Sequence, residues 1–228
     1  MKIAMIGTGI MADIYARVIG QRENCSICCV AGNSVENTMK FAEAHNIKGY
    51  PGSAYDQMFD EHPELDTVII TTPEWVRIDP VTASVKNKKH ILLEKPFACS
   101  LDEALVLNNI LKGYDKVFEI CHVLRYSPRF YALYKSIANN DLGDIRHIYA
   151  RRNSNNKRVK RVLGKTNLAY WLTPHDIDIM RWITGSEVKE VYAVSRNGLL
   201  SADDYLTANL KFENGVDAVL QISCATHH

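Results

Sequence analysis

The stretch Ile3-Ala4-Met5-Ile6-Gly7-Thr8-Gly9-Ile10-Met11-Ala12 decides the fold. Ile3 to Ile6 is a short apolar strand, and a helix is predicted from about Ile10 to Ile19. Between them stands Gly7-x-Gly9-x-x-Ala12, a pattern that recurs by chance but gains meaning when it follows a strand and opens a helix. Gly7 permits the tight turn, and Gly9 lets a diphosphate approach the backbone. Ala12 keeps the helix close to the strand, whose partner helix turns its N-terminus toward the phosphates. Gly7, Thr8, Gly9, Ile10 and Met11 are therefore expected to hold NAD or NADP.

Working outward, strand and helix alternate over the first 120 residues or so. Ser26 to Ala31 reads as a second strand, and Ser34 can cap a helix running to His45. Thr67 to Thr71 is a β-branched strand without polar alternation, as expected where both faces are covered. A helix from about Asp79 to Asn87 leads to the strand His90 to Leu93. Ser100 caps a helix through Leu111, with Glu103 in its first turn, and Lys116 to Cys121 closes the series. This order predicts a doubly wound parallel sheet with right-handed crossovers, a Rossmann domain over residues 1–121.

The pattern then changes. A helix is predicted from Pro128 to Ala138, a strand from Ile145 to Arg152, and a helix from about Pro174 to Thr184 closed by Gly185. Three strands follow, over Val188–Ser195, Tyr205–Phe212 and Val216–Ser223, the last two joined by a hairpin turn at Glu213-Asn214-Gly215. Residues 122–228 are thus expected to form an α+β domain on an open, mostly antiparallel sheet.

The chain has 228 residues, 46% of them hydrophobic, and a formal net charge of +1. That balance gives no global drive toward nucleic acid or acidic membranes. No apolar run approaches the roughly 20 residues needed to span a bilayer, and no signal-peptide cleavage site is apparent, so a cytoplasmic protein is expected. Cys25-x-x-Cys28 suggests a metal or redox pair, but Cys28 and Cys29 fall in an apolar strand and no second ligand pair stands at zinc spacing; packing is the favoured reading, and no metal site is expected.

After the second strand the residues are Ala31-Gly32-Asn33-Ser34. No carboxylate is present there to repel a 2′-phosphate and no arginine to clamp one. Asn33 and Ser34 suit a hydroxyl or a phosphate, which favours NADP slightly over NAD.

Further along come Thr72-Pro73, then His90-Ile91-Leu92-Leu93-Glu94-Lys95-Pro96, then Arg125-Tyr126-Ser127-Pro128, Leu142-Gly143-Asp144-Ile145, and His175-Asp176-Ile177-Asp178 ahead of Arg181-Trp182. As a set these resemble the Gfo/Idh/MocA family of oxidoreductases over nearly the whole chain. The resemblance implies hydride transfer between a nicotinamide and a secondary alcohol of a sugar, inositol or sugar derivative. It also implies a second domain whose sheet mediates homo-oligomerisation. Lys95 matches the family's active-site lysine and His175 its active-site histidine.

The residues agree with those roles. Oxidising an alcohol needs a base for the hydroxyl proton while hydride leaves carbon. Lys95 lies at the carboxyl end of a parallel strand, where open α/β sheets bind ligands, and His175 starts a helix, whose dipole favours neutral imidazole. Glu94 either orients Lys95 or touches the cofactor, and Thr72, Pro73 and Trp75 are expected on the nicotinamide side. Asp178, one helical turn from His175, either orients its ring or solvates a helix face. Arg125 completes the expected substrate contacts.

Three positions depart from the family pattern: Trp171 stands where an aspartate is usual, Thr173 where a glycine is, and Arg77 where a histidine is common. Trp171 either stacks on a sugar face or is plain core, the latter favoured. The stretch from Arg151 to Lys165 is basic and contains no acid. It reads as a solvated loop or as a contact for an anionic substrate through Arg158 and Arg161, not as a nucleic-acid surface, which would interleave aromatics. The chain stops after a strand, so the second domain's closing strands and C-terminal helix are expected to be missing. Two rival readings remain: a sensor that binds the dinucleotide without turnover, and an enzyme that recycles bound NAD during glycoside cleavage.

Overall fold

The computed structural model describes residues 1–155, 166–197 and 203–226. The chain forms two compact units, Met1–Cys121 and His122–His228.

The first unit runs β1 (Lys2–Ile6), α1 (Ile10–Ile19), β2 (Ser26–Gly32), α2 (Val35–His45), β3 (Lys48–Pro51), α3 (Tyr55–Glu61), β4 (Thr67–Ile70), α4 (Ile78–Lys86), β5 (His90–Glu94), α5 (Leu101–Ile110) and β6 (Phe118–Cys121). The strands form one six-stranded sheet in the order β3-β2-β1-β4-β5-β6, parallel throughout. Side chains alternate across β1. Ala4 and Ile6 join a core with Val68, Ile70, Ile91 and Leu93; Ile3 and Met5 pack on the other face with Ala12, Ala16, Val30 and Ile69. With both faces covered by helices, an uninterrupted apolar strand is the stable solution. Ser34 and Ser100 accept from the backbone N–H of Asn37 and Glu103 and cap α2 and α5, as expected of serines preceding a helix.

Two features of this sheet carry weak sequence signals. β3 holds a glycine and ends in a proline, both unfavourable inside a sheet, yet it is an edge strand, where both are tolerated. A Cβ on Gly49 would come within 3.0 Å of the Ala42 Cβ, so this glycine lets α2 lie close to the edge. The β1–β2 register slips by one residue between Ile3 and Ala4, whose partners are Ile27 and Cys29. Cys28 is thus the extra residue of a bulge. Cys29 is buried in the core and Cys28 packs against it.

The second unit contains a 3₁₀ turn (Val123–Tyr126), α6 (Pro128–Ala138), β7 (His147–Asn155), α7 (Leu168–Trp171), α8 (Thr173–Thr184), β8 (Val188–Asn197), β9 (Asp203–Phe212) and β10 (Asp217–Thr226). Its sheet has the order β7-β10-β9-β8. β8, β9 and β10 are antiparallel neighbours, while β10 and β7 pair in parallel, so the sheet is mixed. Leu206, Ala208, Leu210 and Phe212 on β9 alternate inward, as do Ala218, Leu220, Ile222 and Cys224 on β10. They bury Leu168, Leu172 and Met180 of the α7–α8 segment, a one-sided sheet with period-2 patterning. The β9–β10 turn has Gly215 at φ +88°, a left-handed conformation that glycine adopts without strain.

Candidate functional site in the Rossmann domain

Strand order reverses between β1 and β4, and open α/β sheets bind ligands outside the carboxyl ends of the strands at such a point. Register places Ile6, Ala31, Ile70 and Leu93 side by side. The residues just beyond them, from Gly7, Gly32, Thr71 and Glu94 onward, therefore share one sheet edge.

Gly7 has φ +110°, and a Cβ there would lie 2.7 Å from the Thr71 carbonyl carbon and 2.8 Å from the Thr72 nitrogen. Its N–H donates to the Ala31 carbonyl over 2.8 Å. The chain can pass from β1 to α1 against the β4 loop only if this residue has no side chain. Gly9 is different. It is the N-cap of α1 with φ −87° and supplies no side-chain cap, and a Cβ on it would meet nothing within 4 Å. The first turn of α1 thus lacks the serine cap that α2 and α5 have. Bare amides facing open space at a helix N-terminus suit a diphosphate. Asn33 and Ser34 are exposed just beyond β2.

Lys95 follows β5, half-buried, and its peptide bond to Pro96 is cis. Glu94 is 7% exposed, and its Oε1 accepts from the Tyr15 hydroxyl over 2.9 Å. The Cys121 sulfur lies 2.8 Å from the same hydroxyl. Burial, with Cys121 and Glu94 adding to it, pushes the Tyr15 phenol well above its ordinary pKa, so the hydroxyl stays protonated and Glu94 keeps a donor. Burial likewise raises the Cys121 thiol. Trp75 is 38% exposed on the loop after Thr72-Pro73.

Arg77, noticed in the sequence only as a departure, is 2% exposed. Its Nη1 donates to the Thr72 carbonyl at 2.9 Å and the Thr72 hydroxyl at 3.0 Å. Nη2 donates to the Lys95 carbonyl and Nε to the Pro96 carbonyl, both at 3.3 Å. Burial lowers the guanidinium pKa, opposed by the nearby Glu74 and Glu94 charges.

In the second unit His175 stands in the first turn of α8. Asp178 does not solvate a helix face: its side chain is 4% exposed. Arg125 donates to it twice, from Nε at 2.9 Å and Nη2 at 2.6 Å, and His122 Nδ1 lies 3.7 Å away. Asp178 raises the Arg125 pKa in turn. The two residues expected to touch substrate are therefore engaged with each other. Arg152 binds Asp176 in the same forked way, at 2.6 and 2.9 Å. The Arg125 guanidinium lies 5.7 Å from the Trp182 ring, which stacks on Tyr134 with centroids 4.2 Å apart. Trp171 packs against the apolar cluster of the second sheet. Arg158 and Arg161 lie outside the described residues.

A family model described as "Oxidoreductase family, NAD-binding Rossmann fold" matches residues 1–122, and one described as "GFO/IDH/MocA C-terminal domain" matches residues 130–228. The chain belongs to the Gfo/Idh/MocA family. Among its Gfo/Idh/MocA relatives, the uncharacterized oxidoreductase YrbE of Bacillus subtilis is 26% identical over 226 residues, which cover 96% of this chain and 66% of YrbE. Inositol 2-dehydrogenase of Rubrobacter xylanophilus is 26% identical over 205 residues, 86% of this chain and 56% of that protein. The chain spans less than two-thirds of the length of these relatives. The crystal structure of scyllo-inositol dehydrogenase from Lactobacillus casei, with bound NAD(H) and scyllo-inositol, superposes with a TM-score of 0.87 at 18% identity, covering 100% of this chain and 72% of that one. The Gfo/Idh/MocA fold is thus shared across both units.

Proposed function

We propose that this chain carries the cofactor site of an NAD(P)-dependent oxidoreductase that transfers hydride between a nicotinamide and a secondary alcohol of a sugar, inositol or sugar derivative. One observation carries the reading. The uncapped glycine turn after β1 and Lys95 after β5 open on the same carboxyl edge of one parallel sheet, either side of β4.

In this reading the α1 amides and Gly9 hold the diphosphate, and the loop from Thr72 through Trp75 flanks the ring. A bound nicotinamide supplies the acceptor for two electrons and a hydrogen. Lys95, as the free amine, takes the hydroxyl proton onto Nζ as the carbon–hydrogen electron pair leaves and C=O forms; in reduction its ammonium returns that proton. Glu94, next to Lys95 in sequence, is held in place by the Tyr15 hydroxyl. His175 is a second proton-holding group, on a helix anchored by the Arg125–Asp178 and Arg152–Asp176 pairs.

The exposed Asn33-Ser34 pair, with no carboxylate to repel a 2′-phosphate, supports NADP slightly over NAD. The basic stretch containing Arg158 and Arg161 supports an anionic sugar derivative. Tyr149, Val191 and Tyr192, exposed on the second unit, support homo-oligomerisation through that sheet, which sedimentation of a strictly monomeric chain would exclude. All six cysteines are free, which fits the cytoplasm. Among the described residues no helix is long and apolar enough to cross a membrane.

The test is a panel of sugars, inositols, sugar acids and nucleotide sugars with NAD⁺ and with NADP⁺, followed at the reduced-nicotinamide absorbance band. Steady reduction, strongest with anionic members and NADP⁺, is expected. Cofactor binding with no reduction across the panel would replace the enzyme with a dinucleotide sensor. Product release without net reduction would make the cofactor a recycling one.

A further inference from the structure

We propose that Arg77 is a positioning residue whose buried guanidinium ties the loop after β4 to the loop after β5 and so sets where the Lys95 ammonium stands. The inference rests on the role assigned to Lys95 above.

Each face of the fork has its own loop. Nη1 donates to the Thr72 carbonyl and hydroxyl, and the hydroxyl in turn donates a hydrogen bond to the Val76 carbonyl, which closes the Thr72–Val76 turn. Nη2 and Nε take the carbonyls of Lys95 and Pro96. Because the guanidinium is planar and rigid, it fixes both the separation and the angle of the two loops, which a point-like ammonium does not. The Lys95 carbonyl is one of the atoms held, so the direction in which this residue's side chain leaves the backbone is set by Arg77.

Apart from the nearby charges of Glu74 and Glu94, nothing else about the position calls for arginine. Arg77 is the N-cap of α4 and makes no side-chain cap bond; a serine, threonine or aspartate serves there. Its site is buried, where an apolar side chain of similar volume avoids the cost of taking a charge out of water. Nor is it half of an ion pair: among the described residues its bonds go to three carbonyls and a hydroxyl, and no carboxylate forms a salt bridge with it. A desolvated cation stands where it holds together the two loops assigned to the reaction centre.

The test compares the full chain with R77Q and R77K. Three quantities are read: kcat and KM on the best panel substrate, the NADPH dissociation constant by fluorescence, and the rate at which Lys95 is acylated by an amine-reactive ester, by mass spectrometry, with exposed Lys112 as internal reference. A displacement of about 1 Å at a reacting group can cost on the order of 100-fold in rate. For R77Q we expect kcat to fall by roughly 30- to 100-fold, with substrate KM and NADPH affinity within about threefold, because the glycine turn is untouched. The Lys95:Lys112 acylation ratio should change by at least about threefold. In R77K the charge is kept but only one loop can be reached, so an intermediate kcat, about tenfold down, is expected.

If R77Q does not fold, R77K decides. Wild-type kcat and an unchanged acylation ratio in whichever variant folds overturn the proposal. So does a loss in which NADPH affinity falls as steeply as kcat, since that marks general damage. If the wild-type chain reduces neither cofactor, the oxidoreductase reading fails by itself, and the acylation ratio still decides whether Arg77 sets the exposure of Lys95.

Discussion

The two glycines of the β1–α1 turn should fail in opposite ways when each is given a methyl group. In G7A the new Cβ falls 2.7 Å from the Thr71 carbonyl carbon and Oγ1 and 2.8 Å from the Thr72 nitrogen, at φ +110°. The forbidden backbone conformation costs about 1–3 kcal/mol, and shifting the packed β4 loop adds about 1–3 kcal/mol more. A loss of roughly 2–6 kcal/mol lowers the melting temperature of a chain this size by roughly 4–24 °C. In G9A the methyl meets nothing within 4 Å and φ is −87°, so alanine fits and the loss is the difference between glycine and alanine at an N-cap, under about 1 kcal/mol. That methyl occupies the open space assigned to the diphosphate, and NADPH affinity should fall at least about tenfold, or about 1.4 kcal/mol. Thermal unfolding by circular dichroism and a fluorescence titration on both variants complete the comparison. Full-affinity binding by G9A would remove the diphosphate from this turn, and an unchanged melting temperature in G7A would refute the steric account of it.

K95M should bind NADPH nearly as the wild type does and turn over at least about 100-fold more slowly; stopped-flow measurement of hydride transfer checks this, and near-normal turnover would defeat the mechanism. D178N leaves Arg125 without its carboxylate. Because the Asp178 side chain is 4% and that of Arg125 40% exposed, the loss should be about 2 kcal/mol, below the range for fully buried pairs, and urea unfolding monitored by tryptophan fluorescence measures it. Glu61 accepts from Lys48, Gln57 and Tyr50, and these bonds, Lys48 foremost, lower its pKa from 4.5 to about 2. A carboxylate with a depressed folded-state pKa stabilises fully above its unfolded value and loses that contribution as pH falls from 4.5 through about 2. E61Q should therefore show a shallower decline in melting temperature across that window, and parallel curves would contradict it.

The Rossmann half was legible because its signals are local. The apolar run of β1, the glycine turn and the serines before α2 and α5 each announce themselves within a few residues. β3 and α3 were not read, since Gly49 and Pro51 look like a loop until the strand is known to lie at an edge. In the second half, the parallel pairing of β7 with β10 could not be read from hairpin spacing. Site residues divide the same way. Lys95 and His175 stand in recognisable contexts, but the Arg125 partner of Asp178 is 53 positions away in sequence, beyond the reach of helical spacing. Arg77 was visible as an unusual residue, yet its purpose emerges only when Thr72 and Pro96 are seen on either side of it. Tyr15 beside Glu94 had no signal beyond its place on α1.

The parallel pairing in the second sheet has a consequence for how this protein can be cut. His147 of β7 finds its ladder partner in Asp217 of β10, and β10 is also bonded along its other side to β9. Strands made early wait for the last one before either gains a neighbour there. A chain ended before residue 217 leaves β7 and β9 each with a raw edge where β10 belongs, and such edges recruit other chains. Limited proteolysis between β9 and β10 should therefore yield precipitate rather than a smaller soluble domain.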